Sequence, residues 1–185
     1  RLNMDGSIPK DNPFVHTPGA LGSIWTYGHR NPEGLTFDPA TGIFWETEHG
    51  PVGGDEANII EPGKNYGWGM ATFGIEPGIG RLHATGVTDP ITYYNPSIGP
   101  SGITFYTGNK FPSWKGNLLI TGMVGQKLIR MDIQGRQIAS QETLIADYGR
   151  VRDVKVGPDG LVYVLLQNMN GDAKGGSIIR LVPAN

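Results

Sequence analysis

The 185-residue chain contains no cysteine, which excludes disulfides, thiolate metal sites and thiol catalysis. Charge is scarce: charged residues make up 17% and the net charge is −2. No basic excess is present to hold nucleic acid, and no basic helix to lie on an anionic membrane. The longest apolar run, Leu161 to Leu166, is far too short to span a bilayer. No charged N-terminal stretch precedes an apolar core, so no signal peptide is read. Helical periodicity is also missing, because no stretch of useful length escapes glycine or proline.

Those two residues are what the chain has in quantity, 29 glycines and 14 prolines. Such density breaks helices and favours short strands joined by tight turns. Strands are expected at Leu35–Phe37, Ile43–Thr47, Ile103–Tyr106, Leu118–Thr121, Lys127–Asp132, Val151–Val156, Val162–Leu166 and Ile178–Leu181. Turn signals such as Asp38-Pro39-Ala40-Thr41-Gly42 and Gly157-Pro158-Asp159-Gly160 separate them. The chain reads as all-β.

A repeat runs through it. Each unit opens with a strand, turns, runs a more apolar strand and ends in an Ile/Leu-Arg type strand, as in Leu128-Ile129-Arg130-Met131 and Ile178-Ile179-Arg180-Leu181. Four-stranded units at this spacing predict β-propeller blades, about 24–68, 92–135 and 143–183. Arg1-Leu2-Asn3-Met4-Asp5-Gly6 is similar to Arg130-Met131-Asp132-Ile133-Gln134-Gly135, so the chain is expected to start on the outer strand of a truncated blade. About three blades do not close a ring, so residues 1–185 are read as half of one propeller domain. Its open side would be covered by an absent N-terminal half or a second copy. A small β-sandwich is the competing architecture.

Several segments carry candidate chemistry. Arg150 and Arg152 are two apart in an expected strand, so both side chains share a face. Two guanidiniums there repel unless an anion lies between them, and their planar forks suit carboxylates. The alternative is an ordinary surface pair with Asp147 or Asp153. Arg30 and Asn31 sit in a loop before a strand, a usual place for ligand contacts; Asn31 also fits a plain turn before Pro32. Gly50 and Pro51 open a glycine-rich loop that ends at Asp55-Glu56, where backbone carbonyls and carboxylates offer the hard oxygens Ca²⁺ prefers. A turn with solvated acids is the alternative. Zinc at Glu46-Thr47-Glu48-His49 is set aside for want of further ligands. The segment Asn170-Gly171-Asp172-Ala173-Lys174-Gly175-Gly176 lacks an EF-hand's acids and reads as a hairpin turn. Trp25, Trp45, Trp68 and Trp114 are expected in packing, and His29 in a structural role.

Taken in order, Tyr27-Gly28-His29-Arg30-Asn31-Pro32-Glu33-Gly34-Leu35, Glu48-His49-Gly50-Pro51-Val52-Gly53-Gly54-Asp55-Glu56, Asn65-Tyr66-Gly67-Trp68, Asn95-Pro96-Ser97-Ile98-Gly99-Pro100-Ser101-Gly102 and Gly149-Arg150-Val151-Arg152-Asp153-Val154 resemble the soluble pyrroloquinoline quinone (PQQ) sugar dehydrogenases of the glucose and sorbosone type. The resemblance spans nearly the whole chain and implies the C-terminal half of a six-bladed propeller. It implies that Arg30, Asn31, Arg150 and Arg152 contact PQQ. The Gly50 and Pro51 carbonyls would hold the calcium that bridges to PQQ, and Glu56 and Tyr66 a second, structural calcium. The implied reaction oxidises an aldose at C1 to a lactone, with a soluble electron acceptor reoxidising the cofactor, in the periplasm or outside the cell. The family's catalytic histidine lies in the N-terminal half and has no counterpart here, so no catalytic residue is assigned and this chain alone is expected to be inactive. Val124 stands where strong PQQ binders have Lys or Arg, and Asn95 where glucose oxidisers have Trp. Those two departures favour the rival reading, a cofactor-free propeller module that binds glycan or protein.

Overall fold

In a computed structural model, residues 1–79, 82–167 and 175–184 are described. They form three antiparallel sheets. The first holds β1 (Pro32–Phe37), β2 (Phe44–Glu48), β3 (Asp55–Ile59) and β4 (Thr92–Tyr94), in that order. The second holds β5 (Pro100–Phe105), β6 (Leu118–Gly122), β7 (Lys127–Gln134) and β8 (Gln137–Ala146). The third runs β9 (Arg150–Val156), β10 (Val162–Gln167) and β11 (Gly176–Leu181), three strands among the described residues. A 3₁₀ turn at Pro112–Trp114 is the one helical element among them.

The first strands of successive sheets, β1, β5 and β9, lie beside one another and fan the sheets out as propeller blades. Lateral spacing is tight. A Cβ on Gly34 would meet the Ser101 carbonyl at 2.5 Å, and one on Gly102 the Asp153 backbone at 2.7 Å. Glycine at both points lets the inner strands approach.

Two apolar clusters fill the gaps between blades. Trp45, Ala57, Ile59, Ile103, Phe105, Leu118, Ile120, Ile129 and Met131 join the first two sheets. Tyr106, Leu119, Leu128, Val151, Val154, Val162 and Val164 join the second to the third. Strand β6 is buried throughout and serves both, because alternate residues point to opposite faces: Leu118 and Ile120 enter one cluster, Leu119 the other. Trp45 meets Phe105 edge-on across the first gap, and Trp114 stacks on Phe111 beside Tyr106. Trp25 and Trp68 instead lie under Arg1 and Arg30.

Every expected strand forms, but the blade limits shift. The sheets run 32–94, 100–146 and 150–181, so β4 closes the first rather than opening the second, and β8 closes the second rather than opening the third. Both are edge strands with few buried side chains. Asp55 and Glu56 lie in a strand, not in a loop. Residues 1–3 form no strand and pair with none among the described residues; Asn3 and Ser7 close a turn instead. The expected hairpin turn at 170–176 falls mostly outside the described residues. No helix among the described residues is long and apolar enough to cross a membrane.

Candidate functional site

The candidate contacts come from the same end of three neighbouring inner strands. Arg30 and Asn31 immediately precede β1, Pro100 begins β5, and Arg150 and Arg152 begin β9. Gly50 and Pro51 follow the end of β2, which pairs with the start of β1 through Pro32 and Glu48.

The entry to β1 is held by one buried carboxylate. Glu48 Oε2 accepts the backbone N–H of Arg30 at 2.6 Å and of Asn31 at 3.3 Å. The Arg30 guanidinium donates to the His49 carbonyl at 3.3 Å and lies 5.0 Å from the Trp68 ring centre, a cation–π contact that limits its rotamers. Asn31 Nδ2 donates to Glu33 at 2.8 Å. On β9, Arg150 and Arg152 are both exposed on one face, with Val151 buried between them. Arg152 Nε donates to Gln167 at 2.6 Å and its Nη1 rests on the Met123 sulfur. Among the described residues neither arginine makes an ion pair with Asp147 or Asp153; Asp153 pairs with Lys155. The surface-pair alternative is therefore not what the structure holds.

The loop after β2 is built around Asp55, which is fully buried. Its Oδ1 accepts the Gly50 N–H at 2.9 Å, while Oδ2 accepts Ser97 Oγ, Ile98 N at 2.8 Å and Gly99 N at 2.7 Å. Four donors on one carboxylate fix the turn and tie it to the start of the second blade. A Cβ on Gly50 would collide with the Gly53 carbonyl and the Gly54 backbone, so only glycine fits where these carbonyls converge. Arg30, Glu48, Gly50, Glu56, Tyr66 and Thr72 share a cavity of about 10 Å³, the size of a single water or ion. Carbonyl and carboxylate oxygens there form a hard donor set that fits calcium, whereas the Tyr66 hydroxyl is held elsewhere, donating to the Ile59 carbonyl at 2.6 Å and accepting the Glu61 N–H. Pro51 lies outside its lining, with its Cδ against Gly74.

Arg30 and Gly50 thus share a cavity, and Glu56 and Tyr66 meet in it. Arg152 lines an adjacent cleft of about 370 Å³ with Glu33, Ser101 and Gly102, and Asn31 reaches that cleft through Glu33. Arg150 lines neither. Asn95, the departure noted in the sequence, places Oδ1 2.6 Å from where a Gly53 Cβ would stand, and Val124 is exposed beside Gly99. His49 is structural: its Nε2 meets the Pro100 carbonyl at 2.7 Å and links β2 to β5.

Sequence reasoning missed a buried acid cluster. Asn58 Nδ2 donates to Glu46 at 3.1 Å and to Glu48 and Glu56 at 3.3 Å each. Burial, reinforced by Glu48, raises Glu46 to about 9 and Glu56 to about 8. His29 closes one side, with Nδ1 3.3 Å from Glu48 and its ring stacked on Tyr66. The only signal was period-two spacing, Glu46 with Glu48 on β2 and Glu56 with Asn58 on β3.

The glucose/sorbosone dehydrogenase profile matches residues 1–180. The aldose sugar dehydrogenase YliI of Escherichia coli strain K12 is 40% identical over 192 aligned positions, covering 100% of this chain and 50% of that protein. A solved glucose dehydrogenase superposes with a TM-score of 0.92 at 42% identity, over 100% of this chain and 53% of the other. The PQQ-bound form of aldose sugar dehydrogenase from Streptomyces coelicolor gives 0.73 at 30% identity, over 98% and 50%. The chain spans about half the length of these relatives.

Proposed function

The chain belongs to the glucose/sorbosone dehydrogenase family, and on that premise we propose that it forms the cofactor wall of a PQQ- and calcium-dependent enzyme that oxidises aldose sugars at C1 to lactones. One observation carries this reading. Arg30, Asn31, Arg150, Arg152 and the Gly50 loop all lie at one end of the three inner strands, and together they offer three guanidiniums and converging carbonyls to a small, multiply anionic, metal-bound ligand.

When bound, PQQ accepts a hydride equivalent from the sugar and calcium polarises it as a Lewis acid. The side chains of this chain bind and orient. Arg150 and Arg152 present donors on one exposed face for carboxylates. Arg30, already held against Trp68 and the His49 carbonyl, supplies fixed positive charge where anionic character grows. Asn31 adds a neutral amide donor. Gly50 and Pro51 contribute carbonyls to the cofactor's calcium, and Glu56 and Tyr66 hold a second one. The proton-abstracting histidine and the sugar pocket belong to the other half of the propeller. That half also covers Leu35 and Phe37 at one end of the fan and Ile178 at the other, which are 60%, 61% and 70% exposed. A soluble acceptor outside the cytoplasm takes the electrons.

The test is dye reduction by the full-length protein supplied with PQQ and Ca²⁺ and offered glucose and other aldoses. Aldose-dependent reduction that disappears with a chelator supports the reading. No reduction at saturating calcium and PQQ rejects it in favour of a cofactor-free binding module.

A further inference from the structure

On the strand β2 face that carries Glu46 and Glu48, carboxyl groups are gathered without a lysine or arginine partner. Glu46 and Glu48 are 1% and 3% exposed. Among the described residues no lysine or arginine side chain forms an ion pair with Glu46, Glu48 or Glu56. Buried carboxylates are ordinarily paired or metal-bound. Among the described residues the basic group that meets a cluster carboxylate is His29, on Glu48; the Arg30 guanidinium lines the neighbouring cavity but donates to the His49 carbonyl.

Two buried polar atoms in the cluster also lack partners, Glu46 Oε1 and Asn58 Oδ1. Asn58 is fully buried with its amide among the carboxylates, and turning that amide over would exchange its nitrogen for a fourth oxygen donor. Such an exchange is favourable around a cation, or where a protonated carboxyl donates to the amide oxygen. One ligand atom from each of His29, Glu46 and Glu48 lies within 4.8 Å of the others. His29 Nδ1 and Glu48 Oε1 are 3.3 Å apart, long for a charge-assisted hydrogen bond. That is about the ~3.3 Å edge of a tetrahedral site with bonds near 2.0–2.1 Å. The other ring nitrogen, Nε2, meets Thr26 Oγ at 2.9 Å, the outer contact that orients a ligating imidazole. His29 and Glu46 also line a groove of about 780 Å³ between β1, β2 and residues 25–26, which gives an ion access.

We propose that His29, Glu46 and Glu48 form a site for a zinc-class divalent cation, next to the calcium contacts assigned to Gly50 and Glu56, with Glu48 standing between the two. A nitrogen with two carboxylates selects such an ion over calcium, which takes an all-oxygen shell. Residues 46–49 alone offer too few ligands for zinc, lacking a further His or Cys partner. The histidine that completes the set is His29, from the loop before β1.

The test is titration of the protein with Zn²⁺ against a chromophoric chelator, with Ca²⁺ saturating throughout. One zinc should bind per chain. E46Q and H29Q should each weaken it at least about tenfold, whereas H83Q, which removes the exposed His83–Asp89 pair, should leave it unchanged. Absence of binding, equal affinity in E46Q and wild type, or loss in H83Q overturns the site. Should E46Q fail to fold, anomalous scattering at the zinc edge on wild-type crystals decides: a peak within ~2.2 Å of His29 Nδ1 supports the assignment, and a peak only elsewhere rejects it.

Discussion

Asp55 Oδ1 accepts the backbone N–H of Gly50 at 2.9 Å, and through that bond a fully buried carboxylate on β3 sets the loop whose carbonyls are assigned to calcium. The other oxygen of Asp55 gathers Ser97, Ile98 and Gly99, so the same residue locks the first blade onto the second. Asp55→Ala strands three backbone donors, and charged hydrogen bonds contribute about 1.5–3 kcal/mol each. The variant should lose about 3 kcal/mol or more in urea unfolding and should also bind calcium more weakly. A loss below ~1 kcal/mol would mean that water replaces the carboxylate freely.

Calcium binding itself should report on Glu56. The Glu56→Gln substitution keeps the shape and removes the charge, so calcium affinity measured by isothermal titration should fall at least about tenfold while the circular dichroism spectrum is retained. Unchanged affinity would remove Glu56 from the site.

Protonation of the acid cluster predicts a pH slope in the metal-free protein. Glu46 and Glu56 are raised from 4.5 to about 9 and about 8, so between those limits the folded chain holds protons that the unfolded chain has released. Stability contributed by these protons is intact below about pH 4.5 and is lost as pH climbs toward 8–9. In chelator, Tm should be lower at pH 8 than at pH 5.5 by roughly 4 °C or more, and Glu46→Gln should flatten that slope. A Tm that rises across this range would contradict the burial described here.

Much of the fold was legible because burial and alternation coincide. In β10, Val162, Val164 and Leu166 are buried at every second position, and in β9 the same period put Arg150 and Arg152 on one face. Strand β8 was not legible. It is an outer edge whose side chains are mostly exposed, and its packed residues, Ile138, Leu144 and Ile145, do not alternate along the strand. Strand β3 was hidden by its composition, since Asp55 and Glu56 read as the end of a glycine-rich loop although Asp55 is buried beneath four donors. The Glu46–Glu48–Glu56 cluster was invisible for the same reason: carboxylates are expected outside, and their meeting depends on how β2 pairs with β3, Glu46 opposite Asn58 and Glu48 opposite Glu56.

Arg150 and Arg152 should separate in their effects. Arg152 is anchored by Gln167 and lines the cleft near Ser101; Arg150 is exposed at the start of β9. If both meet PQQ carboxylates, either change to Ala should weaken PQQ binding by roughly tenfold or more with little effect on Tm, each removing a charge-assisted contact of about 1.5–3 kcal/mol. Arg152→Lys should rescue only partly, since an ammonium cannot pair bidentately. Full PQQ affinity in both alanine variants would take β9 out of the cofactor wall.

Most direct is equilibrium binding of PQQ to the full-length protein, followed by Trp fluorescence in Ca²⁺ and again in excess chelator, for wild type and Arg30→Ala. A wall made of guanidiniums and a calcium-bearing carbonyl loop predicts saturable binding in calcium that falls at least about a hundredfold in chelator and at least about tenfold in the variant. PQQ affinity that ignores both calcium and Arg30 would contradict it.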